Sequence, residues 1–392
     1  MSAPSVVFAA NARYGQGGQG EFLRLMTRAL AAAPQATVYS RFVPHGLVHE
    51  VNLPFGDSMR ARLFHAILAV PVLRRRQDWL TLLSDLDFDA RVASAIDPPS
   101  VFDGVMAQCA TTMARVRRRG TKTVLTCLNT HIHNLARVMT AEYRRVGAPG
   151  PSFMHPRMIR RALTEIAEAD HIRVNSALAR QSFVDEGVPA GKITVIHPGV
   201  DLDHFTPVEK KDDVFRVLAV SSIDPRKGVH DLFEAFELAA LPNAELVVIG
   251  GTGDGWSKAL VARYRQRLPN VTVKAVDIMS VPVAETFGRA SVLVHAAAED
   301  GYGLVVPQAL ASGRPVIVTR TSGAAELVVD GRTGFVVGAQ APSEIAERLR
   351  QLATDRALWR SMCDAARPSV EHLSYAAFER DVAAMYSRVL GR

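Results

Sequence analysis

The feature that most restricts the fold of this chain is a repeated alternation of short apolar strands and amphipathic helices. The predicted strands of the first series are residues 5–10, 36–39, 101–106, 123–128, 171–175 and 192–197. The second series comprises residues 215–221, 245–250, 271–276, 291–295 and 315–319. Strands that alternate with helices predict parallel sheets with helices on both faces. The fold class is therefore α/β, of the doubly wound type.

A polar segment separates the two series. Residues 205–213 (FTPVEKKDD) contain a proline and show no apolar periodicity, which is typical of a linker. The chain has 392 residues, of which 48% are hydrophobic. Single cores stop growing at roughly 250–300 residues. We therefore expect two α/β domains that are joined near residue 205.

Three loops at the ends of predicted strands suit an anionic ligand: residues 11–20 (NARYGQGGQG), 224–228 (DPRKG) and 299–304 (EDGYGL). Small residues let the backbone approach a ligand, and a following helix directs its unpaired N–H groups towards that ligand. The helices after the first and third loops are predicted to start at Glu21 and Pro307. The first loop does not fit a dinucleotide-binding or Walker motif.

Arg226 and Lys227 lie in the second of these loops, where they could donate charge-assisted hydrogen bonds to a phosphate. The carboxyl ends of parallel strands share one edge of a sheet, so residues 224–228 and 299–304 are expected to converge on one ligand. Either loop by itself is more often a solvated turn. Their combination favours a phosphate site.

These motifs together resemble family 4 of the retaining glycosyltransferases, which have the GT-B fold. The resemblance covers most of the chain and is loosest between residues 43 and 100; its other motifs are Gly17-Gly18, residues 169–183 (ADHIRVNSALARQSF), 197–205 (HPGVDLDHF) and 299–313. It implies two Rossmann-like domains that face an interdomain cleft. Residues 1–204 would hold the acceptor, residues 205–372 the nucleotide-sugar donor, and residues 373–392 a helix that crosses back to the first domain.

The resemblance also implies roles for the basic and glycine-rich loops. Lys227 matches the lysine that contacts the donor diphosphate, and we expect it to be solvated, so that its replacement costs little stability. The arginine that the family places five residues earlier falls on Ser222, and Arg226 is expected to replace it. Gly17 and Gly18 match the glycine loop that approaches the phosphate from the opposite domain.

The family's two glutamates, separated by seven residues, fall on Asp300 and Gln308. Asp300 would accept hydrogen bonds from the donor sugar, with Glu299 as a possible substitute. Gln308 would accept from the ribose through its amide oxygen. The other expected donor contacts are Gly301, Tyr302, Gly303 and Leu304. His131 or His133 matches a family histidine near the reacting centre, although a lone histidine there is more often structural.

The activity that the resemblance implies is retaining transfer of a sugar from a nucleoside-diphosphate sugar to an acceptor hydroxyl. The expected acceptor is a saccharide or a lipid-linked saccharide in cell-envelope polysaccharide or glycolipid synthesis. We expect no cofactor and no metal. The acidic runs at residues 85–89 (DLDFD) and 201–203 (DLD) are interpreted as solvated or capping acids rather than as metal ligands.

Other functions are compatible with parts of this pattern. A non-catalytic nucleotide-sugar-binding protein could keep the fold after losing the two glutamates, and a GT-B epimerase or phosphorylase would share it. The formal net charge of +7 suggests nucleic acid, but the basic residues are not interleaved with aromatic residues as in binding motifs. We therefore expect no nucleic-acid partner. The sequence does not specify the donor base, the sugar that is transferred, the identity of the acceptor or the oligomeric state.

The cellular location is inferred from three features. Cys109, Cys127 and Cys363 are widely spaced and flanked by apolar residues, as in reduced, buried thiols of the cytosol. No signal peptide is recognisable, and no stretch reaches the ~20 apolar residues that span a bilayer. Residues 59–80 combine arginines with apolar residues and could either lie on an anionic membrane or pack on their own domain. The expected location is cytoplasmic, possibly peripheral at the inner face of the plasma membrane.

Overall fold

The computed structural model describes residues 5–33, 35–54, 77–151, 154–253, 255–274 and 282–391. The strands are β1 (Val6–Arg13), β2 (Ala36–Phe42), β3 (His49–Asn52), β4 (Val101–Val105), β5 (Lys122–Cys127), β6 (His171–Val174), β7 (Ile193–Val195), β8 (Phe215–Val220), β9 (Ala244–Ile249), β10 (Val271–Lys274), β11 (Val292–His295), β12 (Val316–Thr319) and β13 (Gly334–Val337). They form two sheets, one in each half of the chain.

The strand order is β3-β2-β1-β4-β5-β6-β7 in the first sheet and β10-β9-β8-β11-β12-β13 in the second. Every pairing within them is parallel. In each sheet the order reverses at the first strand, β1 or β8, which has neighbours on both sides. Ligands of doubly wound folds bind outside the carboxyl ends of the strands at such a point. The predicted fold class is confirmed.

Helices cover both faces of the two sheets. They are α1 (Gly17–Ala31), α2 (Gln77–Ala95), α3 (Ala110–Arg117), α4 (Ile132–Arg145), α5 (Pro156–Glu168), α6 (Ala177–Asp185), α7 (Val229–Ala239), α8 (Gly255–Arg267), α9 (Val283–Arg289), α10 (Val305–Ala311), α11 (Pro342–Thr354), α12 (Arg356–Ala366) and α13 (Tyr375–Val389). Each domain has two apolar clusters, one on each side of its sheet. Because both faces are covered, the inner strands are continuous apolar runs; every residue of β12, for example, is buried.

The last helix belongs to the first domain, although it follows the second domain in sequence. Phe378, Val382 and Met385 of α13 share an apolar cluster with Phe8 and Phe22 of β1 and α1. In addition, the Tyr386 hydroxyl donates to Asp103 Oδ2 over 2.8 Å. The chain therefore passes between the domains twice.

The two interdomain connections run side by side. The Val200 N–H donates to the Leu373 carbonyl over 2.8 Å, and Val200 forms a parallel bridge with Ser374. Nearby, the Arg367 guanidinium donates to the carbonyls of Leu202 at 3.0 Å and Phe205 at 2.8 Å. Hydrogen bonds thus hold the outgoing and returning segments together.

The acidic run at residues 85–89 differs from the expectation of solvated or capping acids. Asp89 does cap α3, because its carboxylate accepts from the N–H groups of Thr111 at 2.7 Å and Thr112 at 2.9 Å. Asp85 and Asp87, however, are buried in α2, and Asp87 pairs with Arg41 at 3.2 Å. The prediction of solvated acids was wrong for Asp85 and Asp87, because this face of α2 packs against the rest of the first domain.

The predicted basic amphipathic segment falls mostly outside the described residues. Of residues 59–80, only 77–80 are described, and they form the start of α2. Among the described residues, no helix is long and apolar enough to cross a membrane. Cys109 and Cys127 are buried free thiols, as the sequence predicts, whereas Cys363 is a free thiol that is only half-buried.

Candidate active site

The loop after β8 brings two basic side chains to the carboxyl edge of the second sheet. Its short 3-10 turn, Pro225–Lys227, starts at Asp224, whose carboxylate accepts from the Arg226 N–H over 2.9 Å. The turn ends at Gly228, which has φ +64°. A Cβ at this position would overlap the carbonyl oxygen of Ala296. Glycine therefore allows the loop to pack directly against the end of β11.

Lys227 forms a buried ion pair with Asp300. The Lys227 Nζ lies 2.5 Å from Asp300 Oδ2, and His295 Nε2 lies 3.1 Å from the same oxygen. The side chains of Lys227 and Asp300 are only 16% and 11% exposed. The expectation that Lys227 is solvated is wrong, because the turn directs it into the loop after β11 rather than into the cleft solvent.

The charges around this pair shift both pKa values downwards. Burial, together with the adjacent Arg226, lowers the pKa of Lys227. Burial would raise the pKa of Asp300, but Lys227 and His295 more than offset it and hold this pKa well below its usual range. Asp300 is therefore ionised at neutral pH, and a lysine cation is held beside the position where a donor would bind.

Glu299 connects the two domains. Its Oε2 accepts from Arg226 Nη1 over 3.1 Å, and its Oε1 accepts from the N–H and hydroxyl of Thr130 at 3.0 and 2.8 Å. Thr130 follows β5 in the first domain, and Glu299 is only 2% exposed. In this arrangement both carboxylate oxygens are occupied, so Glu299 orients Arg226 rather than replacing Asp300 as a sugar contact.

Thr130 is a site residue that sequence reasoning missed. The signal that could have indicated it is the presence of a polar residue just after the carboxyl end of β5, where ligands of this sheet would bind. Its hydroxyl also accepts a hydrogen bond from Asn134 Nδ2 over 3.0 Å.

The predicted donor loop packs tightly between the domains. A Cβ on Gly301 would overlap the Leu128 carbonyl oxygen of the first domain, and the Ser176 hydroxyl donates to the Gly301 carbonyl over 2.7 Å. Gly303 has φ +94°, and a Cβ there would lie 2.9 Å from His295 Nε2. Glycines at both positions therefore let the loop reach the opposite domain.

Tyr302 and Leu304 pack inside the protein, and Leu304 contacts an apolar cluster of each domain. The Tyr302 ring is buried and stacks on His197 with centroids 5.9 Å apart, and its hydroxyl has no hydrogen-bond partner among the described residues. Leu304, half-buried, immediately precedes α10. Both residues therefore contribute to the shape of the donor loop.

Gly17 and Gly18 start α1 and are exposed. A Cβ on either would meet no atom within 4 Å, whereas a Cβ on Gly20 would overlap the Arg13 carbonyl oxygen. The first turn of α1 carries no acidic residue and no side-chain cap. This helix end thus combines open space with the positive end of the helix dipole, which favours an anion.

Ser222 and Gln308 are placed where a ligand could reach them. Ser222 is exposed in the loop after β8, and Gln308 is half-buried in α10. Neither side chain is hydrogen-bonded to another residue in the described ranges. Their polar atoms are thus available to a donor.

His131 and His133 are held by the first domain. The Nδ1 of His131 caps α4 by accepting the His133 N–H over 3.3 Å, and its ring packs on Phe183 with centroids 5.0 Å apart. His133 Nδ1 lies 2.9 Å from Glu186 Oε2. Within the described chain, neither ring hydrogen-bonds to Lys227 or Asp300, so these contacts favour the structural role.

These two histidines and Glu186 also bring three potential metal-ligand atoms within 4.8 Å of one another. The hydrogen bond from the His133 N–H to His131 Nδ1 argues against metal binding by these residues. When Nδ1 of a neutral imidazole accepts a hydrogen bond, Nε2 carries the proton, and neither nitrogen of His131 then has a lone pair for an ion.

A second set of contacts joins the domains beside the basic loop. We call Glu142, Arg145, His230 and Asp231 the interdomain ion cluster. Arg145 Nη2 lies 2.5 Å from Glu142 Oε1 and 2.9 Å from Asp231 Oδ1, and His230 Nε2 lies 2.9 Å from Glu142 Oε1. Burial would raise the pKa of Glu142, but hydrogen bonds from His230 and Arg145 hold it at about 2.

Comparison with known proteins finds a matching family for each half of the chain. A family described as Glycosyltransferase Family 4 matches residues 16–204, and one described as Glycosyl transferases group 1 matches residues 202–368. Among curated proteins, D-inositol 3-phosphate glycosyltransferases are similar. That of Streptomyces avermitilis is 30% identical over 61% of this chain and 55% of its own length. That of Mycolicibacterium smegmatis is 28% identical over 66% of this chain and 61% of its own length. The alignments thus span about three-fifths of these relatives or less.

Solved structures share the whole architecture. Sucrose-phosphate synthase from Thermosynechococcus elongatus superposes with a TM-score of 0.73 at 21% identity, covering 99% of both chains. HepE of Anabaena, in complex with UDP and glucose, gives 0.69 at 16% identity, covering 98% of this chain and 99% of that one. WaaG, a glycosyltransferase involved in lipopolysaccharide biosynthesis, gives 0.65 at 18% identity over 97% and 99%. At these identities the likeness establishes the fold alone.

Proposed function

The chain belongs to family 4 of the glycosyltransferases and has the GT-B fold, and from this premise we propose that it is a retaining enzyme that transfers a sugar from a nucleoside-diphosphate sugar to an acceptor hydroxyl. The observation that carries the proposal is the placement of Lys227 and Arg226. Gly228 holds both at the carboxyl edge of the second sheet, and Glu299 joins that edge to Thr130 at the carboxyl edge of the first.

The proposed chemistry depends on the charge that develops on the leaving group. As the glycosidic bond breaks, negative charge grows on the donor diphosphate, and Lys227, Arg226 and the N–H groups at the start of α1 would stabilise it. Interactions of this kind accelerate the reaction because they are stronger in the transition state than with the bound donor. The leaving phosphate oxygen would take the acceptor proton on the same face of the sugar, which retains the anomeric configuration.

Asp300 and Gln308 would divide the recognition of the donor. The Asp300 carboxylate is kept ionised by Lys227 and His295 and would accept hydrogen bonds from sugar hydroxyls. Gln308 would accept from the ribose without adding charge. Binding of the diphosphate would draw Lys227 from Asp300 towards the phosphates and leave the carboxylate available to the sugar.

The donor class is supported by the UDP and glucose complex of the structurally similar HepE. The proposal includes metal-independent catalysis, because the cationic side chains and helix N–H groups can stabilise the diphosphate by themselves. Turnover should therefore persist in excess EDTA. A large loss that returns on addition of a divalent ion would contradict this part of the proposal.

A panel of nucleoside diphosphates and nucleotide sugars tests the donor site. One of them should raise the melting temperature selectively, since binding to the folded state stabilises it. Lys227→Met should abolish that shift and the turnover, whereas the exposed Lys211→Met is the matched control. A panel without any stabilising nucleotide, or full activity in Lys227→Met, would overturn the assignment.

The same experiment separates the other functions. Donor binding without transfer or hydrolysis would indicate a non-catalytic nucleotide-sugar-binding protein, and conversion of the donor sugar without an acceptor would indicate an epimerase. The replacement of the family's glutamates by Asp300 and Gln308 gives the first alternative its weight.

The acceptor side of the proposal is a saccharide or lipid-linked saccharide, with the protein peripheral at the inner face of the plasma membrane. The segment that suggests membrane contact, residues 59–76, lies outside the described residues. Co-sedimentation with anionic liposomes tests it, and replacement of Arg74, Arg75 and Arg76 should weaken binding. Equal binding by that variant would remove this part of the proposal.

A further inference from the structure

A cavity of about 320 Å³ lies at the carboxyl edge of the first sheet. Asn11 of β1 and Gln108, which follows β4, form one wall, Ser84 and Asp85 of α2 form another, and Gln19 in the first turn of α1 closes it. Its volume falls at the lower end of the roughly 300–1,000 Å³ range of small-molecule sites. It adjoins the same helix start to which Gly17 and Gly18 belong.

The cavity wall is built around Asn11, whose polar groups are all used. Its Oδ1 accepts from Arg41 Nε over 2.6 Å, and its Nδ2 donates to Asp85 Oδ1 over 2.7 Å and to Ser84 Oγ over 3.1 Å. Its backbone N–H donates to Gln108 Oε1 over 2.8 Å. These bonds fix the orientation of Asp85 and Gln108 before any ligand binds, which lowers the entropy cost of binding.

The same bonds leave part of each fixed group open to the cavity. Asp85 is only 3% exposed, yet its Oδ2 accepts no hydrogen bond from any residue in the described ranges. The Nε2 of Gln108 and the amide of Gln19 likewise donate to no described residue. This oxygen is not sealed from the cavity, so a ligand hydroxyl can reach it and donate to it.

The chemistry of the wall selects the kind of ligand. The described lining combines a carboxylate, amides, hydroxyls and the apolar side chain of Leu80, and it includes no lysine or arginine. Neighbouring hydroxyls on a ring suit this set, because each can donate to a carboxylate and accept from an amide N–H. A phosphate would lie beside the Asp85 carboxylate, and the described cations that act on Asp85, Arg41 and Arg161, are already paired with Asp87 and Asp89.

We propose that this cavity binds the acceptor as an uncharged, hydroxyl-rich ring, a sugar or cyclitol without a phosphate at this subsite, and that Asp85 and Gln108 set that specificity. The inference rests on the proposed glycosyl transfer. It separates this chain from the similar D-inositol 3-phosphate glycosyltransferases, whose name denotes a phosphorylated acceptor.

The ionisation of Asp85 gives a second readout. Burial raises the pKa of Asp85 to about 6, against the lowering effects of Asn11, Arg161 and Arg41, while Asp89 adds to the rise. These groups lie on β1, α5, β2 and α2. Because the ionised carboxylate accepts hydroxyl hydrogen bonds more strongly, the KM for the acceptor should rise as the pH falls through about 6.

The test compares neutral and phosphorylated rings as acceptors. Release of nucleoside diphosphate from the selected donor is measured with methyl hexosides, myo-inositol and inositol 3-phosphate. A neutral ring should accelerate release, and inositol 3-phosphate should not. Preference for the phosphorylated ring, or no acceleration by any neutral ring while the donor still binds, would overturn the proposal. Absence of donor binding would instead count against the glycosyltransferase activity itself.

Variants assign the effect to the cavity. Asp85→Asn should raise the acceptor KM about tenfold or more, since a charged hydrogen bond is lost, and should abolish the pH dependence near 6. Gln108→Glu, which keeps an acceptor for the Asn11 N–H but adds a charge, should also raise KM. Donor affinity and donor hydrolysis without acceptor should not change. Exposed Asp97→Asn is the control, and an unaltered acceptor KM in Asp85→Asn would refute the role.

Discussion

Lys227 and Asp300 are a catalytic candidate and a structural ion pair at once. Each is almost completely shielded from water, so each neutralises a charge that would otherwise be buried alone. Removing one partner of such a pair costs more than the pair contributes, because the other charge stays desolvated. Stability and activity at this site are therefore expected to respond differently to mutation.

A double-mutant cycle at Lys227 and Asp300 tests this. Lys227→Met should reduce turnover at least ~100-fold and lower the free energy of unfolding by about 2–4 kcal/mol, because Asp300 then lacks its cation. Lys227→Met combined with Asp300→Asn should recover most of that stability but none of the activity. Denaturant unfolding and initial rates measure the two quantities. Additive stability losses would show that the ion pair is not the cause.

Glu142 provides a pH test of the interdomain ion cluster. In the folded protein the pKa of Glu142 is about 2, below the ordinary value of 4.5. The ionised carboxylate therefore stabilises the fold fully at pH values above 4.5. The contribution is lost as the pH falls from about 4.5 towards 2. Glu142→Gln should therefore flatten the decline of unfolding free energy over this range.

The exposed Glu347→Gln serves as the control, and its acid profile should follow that of the unaltered protein. If the unfolding free energy of Glu142→Gln depends on pH in the same way as that of the unaltered protein, the cluster does not couple protonation to folding.

Residue types and spacing predicted which loops meet at the edge of the second sheet, but not which of their side chains pair. DPRKG and EDGYGL identified Lys227 and Asp300 from the sequence, whereas their mutual pairing depends on the close approach of two loops 73 residues apart. Thr130 and Asp85 were not predicted as ligand contacts, because a single polar residue has no pattern of its own. Thr130 follows β5 at the carboxyl edge of the first sheet and Asp85 lies on α2 beside that edge, so their candidate roles follow only from the fold.

The loop after β8 shows how an element depends on one glycine. Gly228 combines a positive φ with contact against the end of β11, so any side chain there must displace the turn that carries Arg226 and Lys227. The backbone of the turn is fixed by this contact and by the Asp224 cap.

Gly228→Ala should lower the free energy of unfolding by about 1–3 kcal/mol and reduce turnover, because strain and overlap act together. Gly251→Ala is the matched control, since a Cβ there would meet nothing within 4 Å and its φ is not in the left-handed region. Chemical denaturation and donor affinity distinguish the two variants. Equal stability and equal donor affinity in the two variants would mean that the loop tolerates a side chain at Gly228.

The boundaries of elements were predicted less well than their order. α1 starts at Gly17 rather than Glu21, because helical glycines carry no apolar signal. α10 starts at Val305 rather than Pro307, because proline is tolerated in the first helical turn, where its missing N–H would be unpaired anyway.

On the scale of the molecule, hydrogen bonds and ion pairs between the two domains hold the cleft together. Glu299 and Thr130 join the domains at the donor loop, and the interdomain ion cluster joins them beside the basic loop. The Tyr143 hydroxyl also donates to Asp224 over 2.6 Å, which links the first domain to the turn that holds Lys227.

Arg145→Met should weaken the coupling of the domains, because Glu142 and Asp231 lose their shared cation. In calorimetry, the unfolding transitions of the two domains should lie further apart in temperature. The KM for both substrates should also rise. Arg144→Met, at the exposed neighbouring position, is the control. A single unchanged transition in Arg145→Met would show that the other contacts suffice to couple the domains.

The paired connections at Val200 and Leu373 have a consequence for how such enzymes can be recombined. The second domain is inserted into the first, between β7 and α13, so a single crossover between two relatives would separate α13 from the α1 surface on which it packs. A functional chimera needs two junctions, both at the ladder that joins these segments. Exchange at that ladder would transplant the whole second domain and leave the first domain of the recipient intact.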